Sequence, residues 1–191
     1  LMDAEHFLSM DLSLDLGNGQ DGSTAQTAPK EPQILIYHTH SQETFSDYPE
    51  NPEATITGVG AYLSELLEGK GYSVIHDDGV YDYRDGKLDR SRAYTYALEG
   101  IQGILQKYPS IEVVLDLHRD GVAEGTRLVT EINGKPTAKI MFFNGTSQTP
   151  DGPIEYLPNP NREANLAFSF QMQLKAAGMY PGFTRKIYLK G

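Results

Sequence analysis

Short apolar segments alternate with helical segments in the first two thirds of the chain, and this order constrains the fold more than any other feature. Ile34–Tyr37, Ser73–His76 and Ile111–Leu117 have the length and composition of buried strands. Between them, Thr57–Glu68 and Leu88–Tyr108 carry apolar residues at helical spacing. Strand, helix, strand, helix, strand is typical of a parallel sheet with helical crossovers, so the sequence predicts an α/β fold.

The rest of the chain predicts a hairpin, a third helix and a last strand. Asn133-Gly134 is a strong hairpin turn signal between Thr126–Glu131 and Thr137–Phe143. Arg162–Ala177 has helical spacing, with Leu166, Phe170, Leu174 and Ala177 expected on its inner face and Gly178 expected to stop it. Thr184–Leu189 has the composition of a strand. These segments add a β-hairpin and a helix to the α/β core.

The first 32 residues differ in composition from the rest. Residues 1–16 mix apolar and acidic types, and residues 17–32 are rich in Gly, Ser, Thr, Gln and Pro with almost no apolar content. This composition predicts an arm followed by a flexible linker. Since 191 residues suffice for one compact core, a single domain is expected over residues 33–191.

Charge and cysteine content narrow the possible functions. Sixteen basic and 26 acidic residues give a net charge of −10, and no cluster of Lys and Arg occurs, so a nucleic-acid partner is not expected. The absence of cysteine excludes disulfides, thiolate nucleophiles and zinc sites built on cysteine. No apolar run approaches the roughly 20 residues of a membrane span. Signatures of serine hydrolases and of nucleotide-binding loops are absent.

Three of the five histidines stand at strand ends: His38, His76 and His118. In an open parallel sheet, ligands bind beyond the carboxyl ends of the strands. His38 and His118 are therefore expected at the same, ligand-binding edge, although 80 residues separate them. His76, taken alone, is expected to be an ordinary hydrogen-bonded polar residue.

The segment YHTHSQE, residues 37–43, supplies His38, His40 and Glu43 within six residues. Catalytic zinc is usually held by three protein ligands of histidine and carboxylate type, with one position left for water. Asp116 and Asp120 flank His118 and are further candidates, either as ligands or as acceptors that orient an imidazole. A zinc ion here would polarise a carbonyl and activate water for amide hydrolysis.

Five segments of the chain stand out together by their order and spacing. They are ILIYHTHSQETF (Ile34–Phe45), SVIHDDGVYDY (Ser73–Tyr83), VVLDLHRDGV (Val113–Val122), INGKPTAKIMFF (Ile132–Phe143) and NREANLAFSFQMQL (Asn161–Leu174). Together they resemble the stage II sporulation protein P family. The resemblance spans about residues 33–191, and its first and third motifs are specific.

The resemblance implies a three-layer αβα fold similar to the zinc N-acetylmuramoyl-L-alanine amidases, with a mostly parallel twisted sheet and helices on both faces. It implies a zinc-dependent peptidoglycan hydrolase that cleaves the amide between muramic acid and the stem peptide, and also cross-link peptide bonds, during engulfment in sporulation. It further implies an extracytoplasmic protein of a spore-forming bacterium, anchored to the cell membrane through a segment outside this chain. Stage II sporulation proteins D and M are the implied partners.

By the same resemblance, the zinc ligands are His38, Glu43 and His118. His40 either orients a ligand or takes the place of Glu43, and Arg119 and Asp120 are expected to orient ligands or to contact the substrate. The catalytic glutamate of the family, its general base, is expected beyond the last residue of this chain. The domain is therefore expected to continue past that residue, and the activity of this chain alone is left open.

Two other functions remain open. An HxH motif after a first strand also begins the amidohydrolase barrels, in which both histidines bind metal, although that fold usually needs about 250 residues. Metal contact by both His38 and His40 would favour this alternative. The second is a non-catalytic wall-binding or scaffold module. A protein that retains zinc but does not cleave muropeptides would support this alternative.

Overall fold

The computed structural model describes residues 30–47, 51 and 53–191. Most of the predicted arm and linker, residues 1–32, lies outside these residues. The chain divides into two compact units, with the first ending at Arg119 and the second running from Asp120 to Gly191. The predicted domain boundary near residue 33 stays a prediction.

The first unit contains five strands and two helices in its described part. In chain order they are β1 (Ile34–Tyr37), α1 (Ile56–Glu68), β2 (Val74–His76), β3 (Tyr83–Arg84), β4 (Lys87–Leu88), α2 (Ala93–Lys107) and β5 (Val113–Asp116). The strands β1, β2 and β5 form a parallel sheet in the order β2-β1-β5. Leu35 and Ile36 of the central strand are fully buried. The predicted parallel strands are confirmed, with β2 and β5 slightly shorter than predicted.

Helix α1 begins at a side-chain cap. The hydroxyl of Thr55 accepts the backbone N–H of Gly58 at 3.1 Å, which satisfies one of the free amides of the first turn. The helix ends at Glu68, and Gly71 beyond it has a φ of 89°, which glycine adopts without strain. The predicted bounds are confirmed to within one residue.

The buried face of α1 consists mainly of small residues. Its buried positions are Ile56, Gly60 and Ser64. Val59, Tyr62 and Leu66, three of the apolar residues whose spacing predicted the helix, are exposed. Small side chains let the helix backbone approach the strands closely, and hydrophobic spacing alone cannot reveal such packing.

Helix α2 starts five residues later than predicted. Asp85 and Gly86 both have positive φ, 50° and 75°, and form the turn of the β3–β4 hairpin. Residues 87–88 therefore belong to a strand, and the predicted start at Leu88 was wrong. Of the face expected to point inward, Ala93, Ala97 and Ile101 are buried, and Ile104, Leu105 and Tyr108 are partly buried.

The second unit contains β6 (Val129–Ile132), β7 (Lys135–Ala138), β8 (Phe143–Gly145), β9 (Gln148–Thr149), β10 (Gly152–Pro153), α3 (Arg162–Met179) and β11 (Tyr188–Lys190). The antiparallel pair β6–β7 turns at Asn133 and Gly134, whose φ angles of 52° and 75° confirm the predicted hairpin. The last strand, β11, pairs with β8 in parallel. Helix α3 continues past Gly178, where a stop was predicted.

The inner face of α3 makes polar contacts within the second unit. Ser169 donates to Asn144 Oδ1 at 2.9 Å, and Gln173 donates to Thr184 Oγ1 at 2.8 Å. The predicted apolar face was wrong at Phe170 and Leu174, because both side chains are exposed.

The described residues form a mixed α/β fold with a small parallel sheet and helices, as predicted at the level of fold class. None of the helices in residues 30–47, 51 and 53–191 is long and apolar enough to cross a membrane.

Candidate site at the carboxyl edge of the sheet

Three histidines mark the carboxyl edge of the parallel sheet in the first unit. His38 directly follows β1, His76 ends β2, and His118 lies two residues beyond β5. Because β1 is the central strand, the chain that leaves it has β2 on one side and β5 on the other. This placement follows the prediction for His38 and His118, and it adds His76 to the same edge.

The imidazole of His38 is fully buried and has a defined tautomer. Its Nδ1 lies 3.0 Å from the carbonyl oxygen of Leu117. Because a carbonyl can only accept, Nδ1 carries the proton, and in the neutral ring Nε2 is an acceptor. Burial lowers the pKa of His38, which favours this neutral ring.

The partner of His38 Nε2 is His76. The two Nε2 atoms lie 3.0 Å apart, and the rings meet edge to face at 88° with centroids 5.2 Å apart. The backbone of α1 closes over this pair at Gly60. A Cβ atom at Gly60 would lie 2.4 Å from His38 Nε2 and 2.7 Å from His76 Nε2, so a side chain there requires the imidazoles to move.

Asp116, the last residue of β5, binds both the segment after β1 and the segment after β5. Its Oδ1 accepts the backbone N–H of Thr39 at 2.9 Å, and its Oδ2 accepts the Thr39 hydroxyl at 2.7 Å. His118 Nε2 lies 2.9 Å from the same Oδ2. Burial raises the pKa of Asp116, but the contacts with His118 and Thr39 outweigh it and lower the pKa overall, so the carboxylate is charged.

His118 is oriented by this carboxylate. Burial lowers the pKa of His118, but the hydrogen bond to Asp116 and its charge outweigh that effect and raise the pKa overall. With Nε2 donating to Asp116, Nδ1 faces Glu43 Oε2 at a distance of 3.9 Å. A carboxylate that holds one imidazole nitrogen is the usual way in which proteins orient a metal-binding histidine.

Glu43 is 5% exposed and is held by two donors. Arg90 Nη2 donates to Oε1 at 2.6 Å, and the backbone N–H of Arg119 donates to Oε2 at 2.7 Å. The arginine side chain is about half exposed, so the pair joins a buried charge to a solvated one. Glu43 is thereby fixed beside His118.

His40 contacts other residues than His38 does. Its ring meets the rings of Tyr94 and His118 edge to face, each at a centroid distance of 5.3 Å. Its buried Nδ1 has no hydrogen-bond partner among the described residues and lies 3.9 Å from Asp82 Oδ2. His38 and His40 thus have separate partners, an arrangement that does not favour the amidohydrolase alternative.

Two charged residues of the site were missed in the sequence. The fully buried Asp82 accepts the Ser41 hydroxyl at 3.1 Å and so holds the loop after β1, and Arg90 pairs with Glu43. Both come from the segment between β2 and α2. Asp82 lies within the motif SVIHDDGVYDY, whereas no local pattern of the sequence singles out Arg90.

Arg119 and Asp120 differ in their surroundings. Besides the backbone contact with Glu43, Arg119 has a buried Nε without a hydrogen-bond partner in the described part of the chain. Asp120 begins the second unit, and there it pairs with Arg185.

The donors of this edge match the chemistry of zinc, although they are not gathered around one point. In the described ranges, no group of three or more His, Asp and Glu side chains is arranged to hold a metal ion. His38 and His118 nevertheless each have one nitrogen tied to an oxygen, which turns the other toward a histidine or carboxylate side chain: His38 Nε2 toward His76 and His118 Nδ1 toward Glu43. Donors of one tetrahedral zinc ion lie roughly 3.3 Å apart. The 3.9 Å between His118 and Glu43 is only slightly wider, and the predicted ligand set stays a prediction.

Comparison with known proteins identifies the family. The sequence model of the family described as Stage II sporulation protein P matches residues 8–191. The chain belongs to this family. All three strand-end histidines, together with Glu43 and Asp116, lie inside the matched range. The match confirms the resemblance described above and relates the chain to sporulation, which implies a spore-forming bacterium as its source.

A relative within the Stage II sporulation protein P family is the protein of that name from Bacillus subtilis (strain 168). It is 23% identical over 91% of this chain and 43% of its own length. The chain thus spans less than half of that relative. No solved structure matches the chain.

Proposed function

We propose that this chain is part of a zinc-dependent peptidoglycan hydrolase that cleaves the N-acetylmuramoyl-L-alanine amide, and also cross-link peptide bonds, during sporulation engulfment. The observation that supports the proposal is the way in which His38 and His118 are each held by a hydrogen bond. Each has one ring nitrogen held by an oxygen, Leu117 O or Asp116 Oδ2, at the same sheet edge of a sporulation-family protein. The proposal includes the three-layer amidase-like fold expected from the resemblance.

The proposed ligands are His38 through Nε2, His118 through Nδ1, and Glu43. When bound, zinc supplies a Lewis acid that polarises the scissile carbonyl. The protein's own residues orient the ligands: Leu117 O and Asp116 set the tautomers of the two histidines, which fixes the nitrogen that each would offer to the metal.

Tyr94 and His40 are proposed to contact the substrate. Tyr94 is 60% exposed, and its ring contacts His40 beside His118. An exposed aromatic face next to the ligands suits a sugar ring or the apolar part of a stem peptide. Arg119 would contribute through its backbone N–H, which keeps Glu43 beside His118.

The proposal extends to location and partners on the support of family membership alone. The protein would act outside the cytoplasm, anchored to the cell membrane through a segment outside this chain, together with stage II sporulation proteins D and M. Its substrate would be peptidoglycan. The net charge of −10 and the lack of a basic cluster are consistent with a partner other than nucleic acid.

Zinc content is the first test. Metal-free protein is reconstituted, passed over a desalting column and subjected to elemental analysis, with circular dichroism as a check of folding. We expect about one zinc per chain in the wild type, and loss of zinc in His38→Ala and in His118→Ala. His6→Ala is the matched control for adventitious binding to a histidine and should retain the metal. Unchanged zinc in a folded His118→Ala variant would show that the site assignment is wrong.

The reaction is tested on purified peptidoglycan. Amidase activity releases free L-alanine amino groups without producing new reducing sugar ends. Since the family's general base is expected past Gly191, the assay compares this chain with a version extended at its carboxyl end. New reducing ends would contradict the amidase assignment. Zinc binding without any cleavage by the extended version would support the non-catalytic wall-binding alternative.

A further inference from the structure

We propose that His76 is a metal-binding residue of this site, and that its Nε2 shares one divalent cation with Nε2 of His38. The inference rests on the zinc site of the proposed function and adds a donor to it. Neither the sequence motifs nor the resemblance assigned a role to His76.

The hydrogen bond between the two histidines carries the argument. Leu117 O fixes the proton of His38 on Nδ1, so His38 Nε2 can only accept. His76 Nε2, 3.0 Å away, must therefore donate. The nitrogen with which His38 would bind a metal is thus already engaged by His76. When a cation binds His38, His76 must either move away or bind the same cation through its other tautomer.

The surroundings of His76 disfavour a large movement. Its backbone is fixed to the central strand, because His76 is the register partner of Ile36 and the next N–H, that of Asp77, donates to Ile36 O at 2.8 Å. Its ring lies against α1 at Gly60, where even a methyl group would overlap both imidazoles. The ring therefore has little room on the helix side.

Binding of one cation by both His38 and His76 needs only a small movement. Two nitrogen donors of one tetrahedral zinc ion lie roughly 3.3 Å apart. The observed separation of 3.0 Å needs to widen by only a few tenths of an ångström. A cation can then replace the shared proton, with His76 protonated on Nδ1 instead. If Glu43 stays paired with Arg90 when the metal binds, His76 would take its place as the third ligand beside His38 and His118.

The test is a titration with Zn²⁺ alone, in competition with a chromophoric chelator, on the wild type and on His76→Gln. The amide nitrogen of glutamine keeps an N–H that can reach His38 but has no lone pair for a metal, and the amide oxygen is a weaker zinc ligand than an imidazole. We expect the zinc affinity of His76→Gln to fall at least about tenfold. The thermal stability of the metal-free variant should stay close to that of the wild type. His6→Gln is the matched control and should bind like the wild type.

The outcomes separate this inference from the proposed function. Wild-type affinity in His76→Gln, with zinc lost in His38→Ala, would show that His76 is only a hydrogen-bond partner, and the proposed site would stand without it. Tighter binding in His76→Gln would show that His76 competes with the metal, which also overturns the inference. A folded wild type that binds no zinc would overturn both.

A second measurement needs no variant. In the Co²⁺-loaded wild type, each histidine bound through one nitrogen keeps an exchangeable N–H on the other. This proton gives a hyperfine-shifted NMR signal. We expect one such signal each for His38, His76 and His118. The absence of a signal assigned to His76 would overturn the inference even if His76→Gln failed to fold.

Discussion

At the scale of single residues, the site depends on the groups that offset the negative charge of the buried Glu43 carboxylate. Glu43 accepts from Arg90 at 2.6 Å and from the backbone N–H of Arg119 at 2.7 Å. A buried carboxylate without a cation is costly, and the backbone donor alone carries no net charge. Arg90 therefore stabilises the loop after β1 in the position that keeps Glu43 beside His118.

Replacing Arg90 should expose this dependence. We expect Arg90→Met to lower the free energy of unfolding by about 1–2 kcal/mol, less than for a fully buried pair because the arginine is half exposed. Arg90→Lys is the matched variant, since it keeps the charge, and should lose less. Urea denaturation of the metal-free protein measures both. Equal stability of Arg90→Met and the wild type would mean that Arg119 alone satisfies Glu43.

Sequence reasoning reached part of this residue-level picture. The rule that ligand sites lie beyond the carboxyl ends of parallel strands placed His38 and His118 at one edge, and the structure has them there. The pairing of His38 with His76 depends on the strand order β2-β1-β5, which the sequence does not reveal. Arg90 reaches Glu43 across 47 residues, a contact that no local pattern predicts.

At the scale of elements, α1 determines how closely the two imidazoles are covered. Its Gly60 faces His38 and His76, and the helix begins at the cap formed by Thr55. Local signals identified the helix correctly, because caps and periodicity are properties of the nearby sequence. They do not reveal which residues it buries, because close packing selects small residues, whereas the spacing argument relies on large apolar ones.

Two glycine variants separate helix propensity from packing. Gly103 of α2 is exposed with open space around it, so Gly103→Ala should stabilise the protein by up to about 1 kcal/mol through helix propensity. Gly60→Ala gains the same propensity, but its methyl group meets His38 Nε2 at 2.4 Å. Overpacking of this kind typically costs about 1–3 kcal/mol, so we expect a net loss of stability.

Chemical denaturation of both variants checks this prediction, and zinc affinity provides a second readout. Gly60→Ala should also bind zinc more weakly, since both imidazoles have to move, whereas Gly103→Ala should bind as the wild type does. If Gly60→Ala were as stable as Gly103→Ala, the helix would not cover the histidine pair as closely as described.

At the scale of the whole molecule, every proposed ligand belongs to the first unit. His38, Glu43, His76 and His118 all precede the boundary after Arg119. A ligand that binds only the folded protein stabilises the cooperative unit that contains its site. Zinc therefore provides a probe of how the chain unfolds as well as of its site.

Scanning calorimetry with and without zinc should show this stabilisation. At a free zinc concentration of about 100 times Kd, the folded state gains roughly 2.7 kcal/mol. If the whole chain unfolds as one unit, this gain corresponds to a rise in Tm of about 5–11 °C. If the first unit unfolds alone, the same gain raises its Tm by about 11 °C, at the top of that range, because a smaller unit has a smaller unfolding entropy. Any separate transition of the second unit would stay in place. His38→Ala should show no shift, and an unchanged Tm in the wild type would contradict zinc binding to the first unit.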